Sequence, residues 1–505
     1  MNIKKAKQEI LNTLRAYLSK DELGNYLIPS IRQRPVLLMG PPGIGKTQIM
    51  AQIAAETGVG LVSYTITHHT RQSAIGLPFI EQRSYGGKEY SVTEYTMSEI
   101  LGSVYQLMES TGVKEGILFL DEINCVSETL APMMLQFLQC KSFGNQALPE
   151  GWLIVAAGNP PEYNKSVRDF DVVTLDRVKR IDVQEDFSVW KEYARKNSLH
   201  GAVISYLDIK KEHFYAIETT VDGLQFATAR GWEDLSELIY AYEKLGLRVD
   251  RDVAGQYIQL PRIAKDFANY LELYYKYQRI YHVEDILQGT WKSVTELELR
   301  AAPFDEKFSV MGLLLSRLNG EAKRLRMQDE LTSAVHGALK ELKGRLDSEK
   351  PRQLLEDLIS HRMNAMKTAS DARQLDKDSR ELMQRELNCL SGYRSRLVDE
   401  DVADEDAFRT LKGWFAQEVE KRRAMAVECS AMYDNAFRFL EKTFSQGQEL
   451  VMFVTEITAG YDSSWFVENF GCDAYFRHNK ELFFDETQKR IRDSIVAARR
   501  GDTEL

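Results

Sequence analysis

A glycine-rich segment near the start of the chain has the residue types and spacing that hold phosphate groups. Glycines let backbone N–H groups turn inward toward phosphate oxygens, and the start of a following helix adds partial positive charge. We expect Lys46 to meet the β and γ phosphates of a nucleotide and the Thr47 hydroxyl to bind Mg²⁺. A ligand-free Gly/Pro turn is the alternative, but the segment lies between an apolar run and a helical pattern, as this motif requires. The segment fits GxxxxGK(S/T) and comprises Gly40, Pro41, Pro42, Gly43, Ile44, Gly45, Lys46 and Thr47.

Two adjacent carboxylates follow another apolar run. Ile117–Leu120 precedes Asp121 and Glu122, so both side chains come at the carboxyl end of a predicted strand, where open α/β sheets bind ligands. Asp121 is placed to hold the magnesium shell, and Glu122 to orient or deprotonate a water in line with the γ-phosphate. An exposed acidic strand end is the alternative. The upstream phosphate loop argues against that alternative. An Asp without the following Glu would suit a kinase or a switch GTPase, so the pair favours hydrolysis of ATP.

A carboxamide ends the next apolar run. Trp152–Ala157 is followed by Gly158, Asn159 and Pro160. Asn159 would lie beside the central strands, where its side chain can hydrogen-bond the attacking water or the γ-phosphate. Asn-Pro by itself is a turn signal. Its position after the third such strand is what makes Asn159 a candidate catalytic residue.

A parallel sheet is the element that would bring these residues together. After a leading helix at 3–19, short apolar runs alternate with helical patterns as far as residue 185. Continuous apolar strands separated by helices imply a parallel sheet covered on both faces, here an α/β P-loop NTPase. The runs are Val36–Met39, Leu61–Tyr64, Ile117–Leu120, Trp152–Ala157 and Arg180–Val183.

Beyond residue 185 the chain becomes helical. Amphipathic stretches at Trp232–Leu245 and Ile263–Tyr277 precede long helices rich in Leu, Glu, Lys and Arg, and aromatic residues return near the end. We predict four domains. These are an α/β nucleotide-binding domain with its leading helix at 1–185, an α-helical lid at 186–300, a long-helix bundle or arm at 301–445, and a small packed unit at 446–505.

Composition limits the classes of partner. The 505 residues include 65 Lys and Arg against 75 Asp and Glu, a net charge of −10, and no segment combines a basic stripe with aromatics. A nucleic-acid partner is therefore not expected. The five scattered cysteines form no metal-ligand spacing and read as reduced thiols. No apolar run approaches the length of a membrane span, so we expect a cytoplasmic protein.

Four motifs, GPPGIGKT, LFLDEIN, AAGNPPEYN and TLDRVKRIDV, occur in this order, and the chain over about 30–245 resembles AAA+ ATPases. Within them it is similar to the MoxR-like branch, although Val178 replaces the usual Phe after Leu175-Asp176-Arg177. The resemblance implies the sheet order 5-1-4-3-2, ATP with Mg²⁺ as ligands, and a hexameric ring of identical subunits. Selectivity for adenine is implied by the family alone.

The resemblance also implies two functional arginines. Arg177 corresponds to the arginine finger, which stabilises charge on the transferred phosphoryl group of the neighbouring subunit. Arg180 is the alternative finger, because the change at Val178 leaves the choice open. Arg230 matches the lid arginine that contacts the γ-phosphate, with Ala229 where Pro is common.

Two insertions fall where MoxR-like relatives carry hairpins. Alternating strand-like runs about Gly86-Gly87 predict a hairpin within 76–98, and a shorter insertion lies around 141–151. Such hairpins line the ring's pore in the family, so Phe79, Tyr85 and Tyr90 are candidates for gripping a partner. Cross-strand packing explains these aromatics equally well.

The leading hypothesis is a ring-forming, ATP-driven remodelling chaperone of MoxR type, whose C-terminal helices select its client. The resemblance suggests a client with a von Willebrand factor A domain. A scaffold that assembles on ATP without hydrolysing it is one alternative, and the intact Glu122 argues against it. A restriction-type translocase on nucleic acid is another, and the acidic charge balance argues against that.

Overall fold

The first half of the chain is built on a parallel sheet. In the computed structural model, which describes residues 1–68, 70, 72, 74, 76–163, 170–220, 223–346, 350–445 and 447–480, five strands pair in the order β2-β5-β8-β1-β9. Numbered along the chain, this is the predicted order 5-1-4-3-2, which is confirmed. The strands are β1 (Val36–Met39), β2 (Gly60–Thr65), β3 (Pro78–Tyr85), β4 (Lys88–Tyr95), β5 (Gly116–Asp121), β6 (Ser142–Phe143), β7 (Gln146–Ala147), β8 (Trp152–Gly158), β9 (Lys179–Asp182), β10 (Ala216–Thr220) and β11 (Gly223–Ala227).

Continuous burial explains why these apolar runs form central strands. Every residue of β1 and β8 is buried, as expected for strands covered on both faces. The strands pack so closely that Gly116, paired with Trp152, must lack a side chain, since a Cβ would lie 2.6 Å from the indole ring. Side chains of Ile100 and Phe137, from two of the covering helices, join the core cluster that includes Leu118 of β5.

Helices make up most of the remaining chain. Those of the first part are α1 (Ile3–Leu18), α2 (Lys46–Thr57), α3 (Glu99–Thr111), α4 (Ala131–Cys140), α5 (Val172–Arg177), α6 (Phe187–Lys196), α7 (Gly201–Ile209), α8 (Ala229–Leu245) and α9 (Arg251–Tyr257). The later ones are α10 (Pro261–Tyr281), α11 (Val283–Gln288), α12 (Ser293–Ala301), α13 (Phe304–Lys343), α14 (Pro351–Asp371), α15 (Lys377–Asp399), α16 (Asp404–Phe444), α17 (Gln448–Ala459) and α18 (Tyr461–Phe470). Short 3₁₀ turns occur at Ser30–Arg32, Ile66–His68 and Lys211–His213. No helix among the described residues is both long and apolar enough to cross a membrane.

The hairpin predicted about Gly86-Gly87 is present. Strands β3 and β4 pair antiparallel, and Gly86 and Gly87 have φ of 58° and 80°, the left-handed backbone that a two-residue hairpin turn requires. Every residue of β3 is exposed, so this strand lies on the surface of its own unit. The second insertion forms a smaller hairpin from β6 and β7.

The chain divides into two compact units. The first comprises Met1–Val189 and Gln353–Arg394, and the second comprises Trp190–Arg352 and the described residues from Ser395 onward. In the first unit the end of α14 returns to the sheet edge, where Leu61 N donates to Ala372 O at 3.3 Å and Gln374 Nε2 donates to Gly58 O at 2.6 Å. The four predicted domain boundaries stay a prediction. The compact units divide the long helices differently from those boundaries, because residues 353–394 pack with the sheet of the first unit.

The second unit is mainly helical, with one feature that the sequence interpretation missed. The strands β10 and β11 form an antiparallel hairpin inside a region expected to be only helical. The run Ile217-Glu218-Thr219-Thr220, followed by an Asp-Gly pair, is a hairpin signal that would have revealed it. The longer helical patterns on either side favoured a purely helical prediction for this region.

Two long helices dominate the rest of the second unit. The helices α13 and α16 have 40 and 41 residues and pack against one another, and α18 packs on α13. A buried ion pair joins α13 to α18, since Arg326 Nε lies 2.6 Å from Asp462 Oδ1. Some aromatics that suggested a terminal packed unit, Phe483 and Phe484, lie outside the described residues.

Candidate functional site

The glycine-rich loop connects β1 to α2 through a tight turn. Gly40 follows β1, and a Cβ there would lie 2.6 Å from the carbonyl oxygen of Val183. Gly43 and Gly45 have φ of 73° and 92°, which other residues rarely adopt. Gly45 caps α2, and a glycine cap has no side-chain oxygen to compete with a phosphate for the first-turn N–H groups. The local backbone is therefore suited to an anion.

Lys46 lies folded over this loop. Its Nζ donates to the carbonyl oxygens of Gly40 and Pro41, both at 2.7 Å, and to Oδ1 of Asn159 at 2.8 Å. The side chain is buried, so its charge is held against backbone dipoles and the carboxamide. The structure thus brings together Lys46 and Asn159, which the sequence separates by more than a hundred residues.

The acidic pair lies at the same edge of the sheet. Thr47 Oγ1 donates to Asp121 Oδ2 at 2.9 Å, which places both predicted magnesium ligands side by side. The backbone N–H of Glu122 donates to Asp121 Oδ1 at 3.0 Å, and Glu122 itself has a left-handed φ of 57°. Thr67 Oγ1 donates to Glu122 Oε2 at 3.0 Å. Asp121 thus has Thr47 as its side-chain partner, and Glu122 has Thr67.

The side chains of Thr47 and Asp121 offer the oxygen ligands that Mg²⁺ prefers. A hydroxyl and a carboxylate oxygen lie together at Thr47 and Asp121, and hard oxygen donors are what Mg²⁺ selects. No cluster of three or more His, Cys, Asp or Glu side chains that could hold a metal occurs in the described part of the chain. A magnesium ion here would thus be held by these two side chains together with nucleotide phosphates and water.

A comparison with protein families agrees with this geometry. Residues 36–174 match the family model described as ATPase family associated with various cellular activities (AAA). That range begins with β1 and contains the glycine-rich loop, Asp121, Glu122 and Asn159. Residues 36–174 form a AAA domain. A search of curated proteins found no significant match to the chain.

The AAA domain and its sheet confirm the predicted fold class, an α/β P-loop NTPase followed by a largely helical region. A AAA domain implies nucleotide binding and supports an ATP-dependent activity of the AAA+ type. AAA+ proteins commonly assemble into rings. The family match supports neither the MoxR-like branch nor a particular client.

The two candidate arginine fingers lie just beyond the matched range. Arg177 is the last residue of α5, is exposed, and donates from Nη1 to Gln139 Oε1 at the end of α4. Arg180 lies exposed on the edge strand β9, with its Nε 2.9 Å from Asp182 Oδ1. Neither guanidinium forms a described hydrogen bond with Lys46 or the acidic pair. Which of them serves a neighbouring site stays a prediction.

The α5 helix that carries Arg177 has a defined start. Asp171 caps it by accepting from the Thr174 backbone N–H at 2.8 Å. Hydrogen bonds from the Thr174 side chain and backbone hold the pKa of the Asp171 carboxyl below its usual value. Since α5 ends at Arg177, the cap fixes the short helix that presents this guanidinium.

Arg230 belongs to the second unit. It is exposed in the first turn of α8, whose N-cap Thr228 accepts from Gly231 N. Its predicted contact with the γ-phosphate stays a prediction.

Three residues of this AAA domain were not foreseen as part of the site. Thr67 holds Glu122, Gln139 holds Arg177, and Asn124 Nδ2 donates to the carbonyl oxygen of Asn159 at 2.8 Å. Thr67 follows β2 at the ligand edge of the sheet, so its position after a strand was a usable signal. Nothing in the spacing of Gln139 or Asn124 indicated their partners.

Proposed function

We propose that this protein hydrolyses ATP at sites shared between neighbouring subunits of a ring, and that it uses the energy to remodel a partner protein. The observation that carries the proposal is the convergence of Lys46, Thr47, Asp121, Glu122 and Asn159 at one sheet edge through described hydrogen bonds. A structural turn would not require all of these residue types together.

Each side chain has a role that its position supports. Lys46, close to the loop backbone, would bind the β- and γ-phosphates of ATP, and Asn159 would hydrogen-bond the γ-phosphate or the attacking water. Thr47 and Asp121 would hold Mg²⁺. The bound ion would neutralise charge on the β- and γ-phosphate oxygens.

Glu122 is the proposed general base. It would accept a proton from a water whose oxygen attacks the γ-phosphorus, while the bond from that phosphorus to the β–γ bridging oxygen breaks and leaves ADP. Thr67 donates to one carboxylate oxygen of Glu122. This contact orients the carboxylate and leaves its second oxygen to receive the proton.

Arg177 is the proposed contribution from the neighbouring subunit. Among the described residues it hydrogen-bonds the neutral amide of Gln139 and forms no ion pair, although its charge helps to lower the pKa of the Asp171 carboxyl. A guanidinium aimed at a neighbour's γ-phosphate stabilises charge in the transition state and makes turnover depend on assembly. A hexameric ring and an Arg230 contact from the helical lid belong to the same proposal and rest on the resemblance to MoxR-like proteins.

The β3–β4 hairpin is the proposed contact with the partner protein. In its register Phe79 pairs with Glu94, Arg83 with Tyr90, and Tyr85 with Lys88, which places Phe79, Tyr85 and Tyr90 on one face. These side chains are 45%, 54% and 49% exposed. An exposed aromatic face on an isolated hairpin is suited to binding a polypeptide. A client with a von Willebrand factor A domain and a cytoplasmic location remain predictions.

The test is ATP turnover measured against protein concentration for the wild type and Glu122→Gln, with nucleotide affinity and oligomeric mass measured on the same samples. Turnover per subunit should rise with assembly, and Glu122→Gln should bind ATP, assemble and lose nearly all turnover. If the wild type binds ATP and assembles but does not hydrolyse it, the ATP-dependent scaffold replaces the remodelling ATPase.

A further inference from the structure

We propose that Asn124 is a positioning residue that holds Asn159 in register with Lys46 for ATP hydrolysis. The inference rests on the proposed function, because it assigns a part in that reaction. Asn124 would contact neither ATP nor the attacking water, and it would act through Asn159.

The Asn124 side chain is held in a buried turn. It is 3% exposed and sits in the turn after β5. Cys125 N donates to Glu122 O at 2.9 Å, which closes this turn, and Ile123 N donates to Ala157 O at 2.9 Å, which attaches it to β8. Asn124 is therefore held by backbone contacts on both sides, and its carboxamide has little freedom to move.

The Asn124 carboxamide contacts the backbone of Asn159. Asn124 Nδ2 donates to the backbone carbonyl oxygen of Asn159 at 2.8 Å. The side-chain oxygen of the same Asn159 accepts from Lys46 Nζ at 2.8 Å. Asn124 thus fixes the backbone of the residue whose side chain contacts the phosphate-loop lysine. It connects the turn that carries Glu122 to the glycine-rich loop.

The acceptor end of the same carboxamide has no described partner. Asn124 Oδ1 is buried and has no hydrogen-bond partner in the described part of the chain. Burying an unsatisfied acceptor costs about 1–3 kcal/mol, so an apolar side chain would be cheaper here if packing were the only demand. The hydrogen bond that Asn124 Nδ2 donates to Asn159 is the described contact that offsets this cost.

The absence of a side chain at Gly158 leaves room for the Asn124 carboxamide. A Cβ at Gly158 would lie 2.6 Å from Asn124 Oδ1. The carboxamide therefore approaches the β8 backbone at a point where only glycine leaves room. A side chain at position 158 would force this carboxamide to move.

The decisive variant is Asn124→Asp, which keeps the shape of the side chain and removes the donor. We expect kcat for ATP to fall about 10–100-fold, the size typical of residues that orient a reacting group, while KM changes by less than about 3-fold. Asn124→Ala should likewise lower kcat while leaving KM nearly unchanged, and it introduces no charge. Asn12→Asp is the matched control, since Asn12 is exposed on α1 and accepts its hydrogen bond through an oxygen that Asp retains.

A double-mutant cycle with Asn159→Ala separates positioning from general destabilisation. If Asn124 acts through Asn159, Asn124→Asp should lower kcat little further in the Asn159→Ala background. Additive losses of kcat in the cycle, or an Asn124→Asp enzyme with wild-type kcat, would overturn the inference while leaving the ATPase proposal intact. Thermal unfolding of each variant identifies any loss that comes from misfolding, and Asn124→Ala then replaces a misfolded Asp variant.

A wild type without any turnover would instead refute the proposed function. It would overturn the Asn124 inference as well, because that inference assigns Asn124 a part in hydrolysis.

Discussion

Arg177 and Arg180 differ in the partners that their guanidinium groups hold. Arg180 forms an ion pair with the Asp182 carboxylate of its own strand. Arg177 has a described hydrogen bond to the neutral Gln139 and attracts the Asp171 carboxylate without a described ion pair. We expect Arg177→Ala to lower kcat by about 10³-fold in the assembled protein, and Arg180→Ala to lower it only slightly. Steady-state kinetics at a concentration where both variants assemble checks this. A larger loss in Arg180→Ala would move the finger to that residue.

Lys141 has a buried ammonium group that should affect the stability of the fold. It is 7% exposed at the end of α4, and its Nζ has no hydrogen-bond partner among the described residues. Burial lowers the pKa of this ammonium to about 8. The unfolded chain therefore binds more protons than the folded one between the folded pKa and the ordinary value, so stability should rise with pH across that window.

Lys141→Met removes the buried charge and should raise the free energy of unfolding by about 2 kcal/mol at neutral pH. The gain should shrink as pH rises from about 8 toward 10, where Lys141 is neutral in the folded protein. Thermal unfolding of both proteins across this range is the measurement, with exposed Lys88→Met as control. A gain independent of pH would mean that the Lys141 charge does not destabilise the fold.

Motif spacing predicted individual site residues where the backbone dictates their position. Gly45, Lys46 and Asp121 are tied to strand ends and to one tight turn, so spacing alone located them. Asn124 and Gln139 could not be found in this way, because their roles depend on which distant residues the fold brings within hydrogen-bond distance.

At the scale of elements, Gln146 attaches the small β6–β7 hairpin to the base of the large one. Its Nε2 donates to the carbonyl oxygens of Tyr95 and Thr96 at 3.1 and 2.9 Å, and its Oε1 accepts from Ser98 N at 2.8 Å. An isolated two-stranded hairpin is only marginally stable, so this attachment should limit how freely β3 and β4 move.

Gln146→Ala should loosen the β3–β4 hairpin without changing basal ATP turnover. Losing these hydrogen bonds should speed amide exchange in β3 and β4 by about 10-fold or more. Hydrogen-exchange mass spectrometry is the measurement. Gln82→Ala is the control, because it removes only the contact to Ser91 within the hairpin. Equal exchange in Gln146→Ala and wild type would show that the base is held by other contacts.

Elements were predictable where a single pattern dominated a segment. The central strands were found because they are buried on both faces and therefore apolar throughout. The β10–β11 hairpin was missed because its short polar strands lie between longer helical patterns. Helical periodicity found the segments that became α14 and α15 but could not indicate which surface they pack on, since periodicity describes one helix at a time.

At the scale of the whole molecule, the return of 353–394 to the first unit joins distant parts of the sequence. Ala372 is fully buried there, and its carbonyl oxygen accepts from Leu61 on the edge strand β2. Covering a sheet edge in this way protects backbone groups that would otherwise pair with another chain. The AAA domain and part of the helical region should therefore unfold together.

Ala372→Asp should separate this segment from the sheet. A charge placed at a fully buried position should destabilise the first unit by roughly 3 kcal/mol or more. Thermal unfolding and limited proteolysis between α14 and α15 are the measurements. Gln384→Glu adds one negative charge at an exposed position of α15 and should leave both unchanged. Wild-type behaviour of Ala372→Asp would show that the contact contributes little.

Mixing two inactive variants tests whether one subunit supplies Glu122 and its neighbour supplies Arg177 to a single ATP site. Glu122→Gln and Arg177→Ala should each lack turnover alone. When equal amounts are mixed and allowed to exchange subunits, about a quarter of the sites should pair an intact Glu122 with a neighbour's intact Arg177, so activity should reappear. A mixture as inactive as its components, although both assemble and bind ATP, would contradict the shared site.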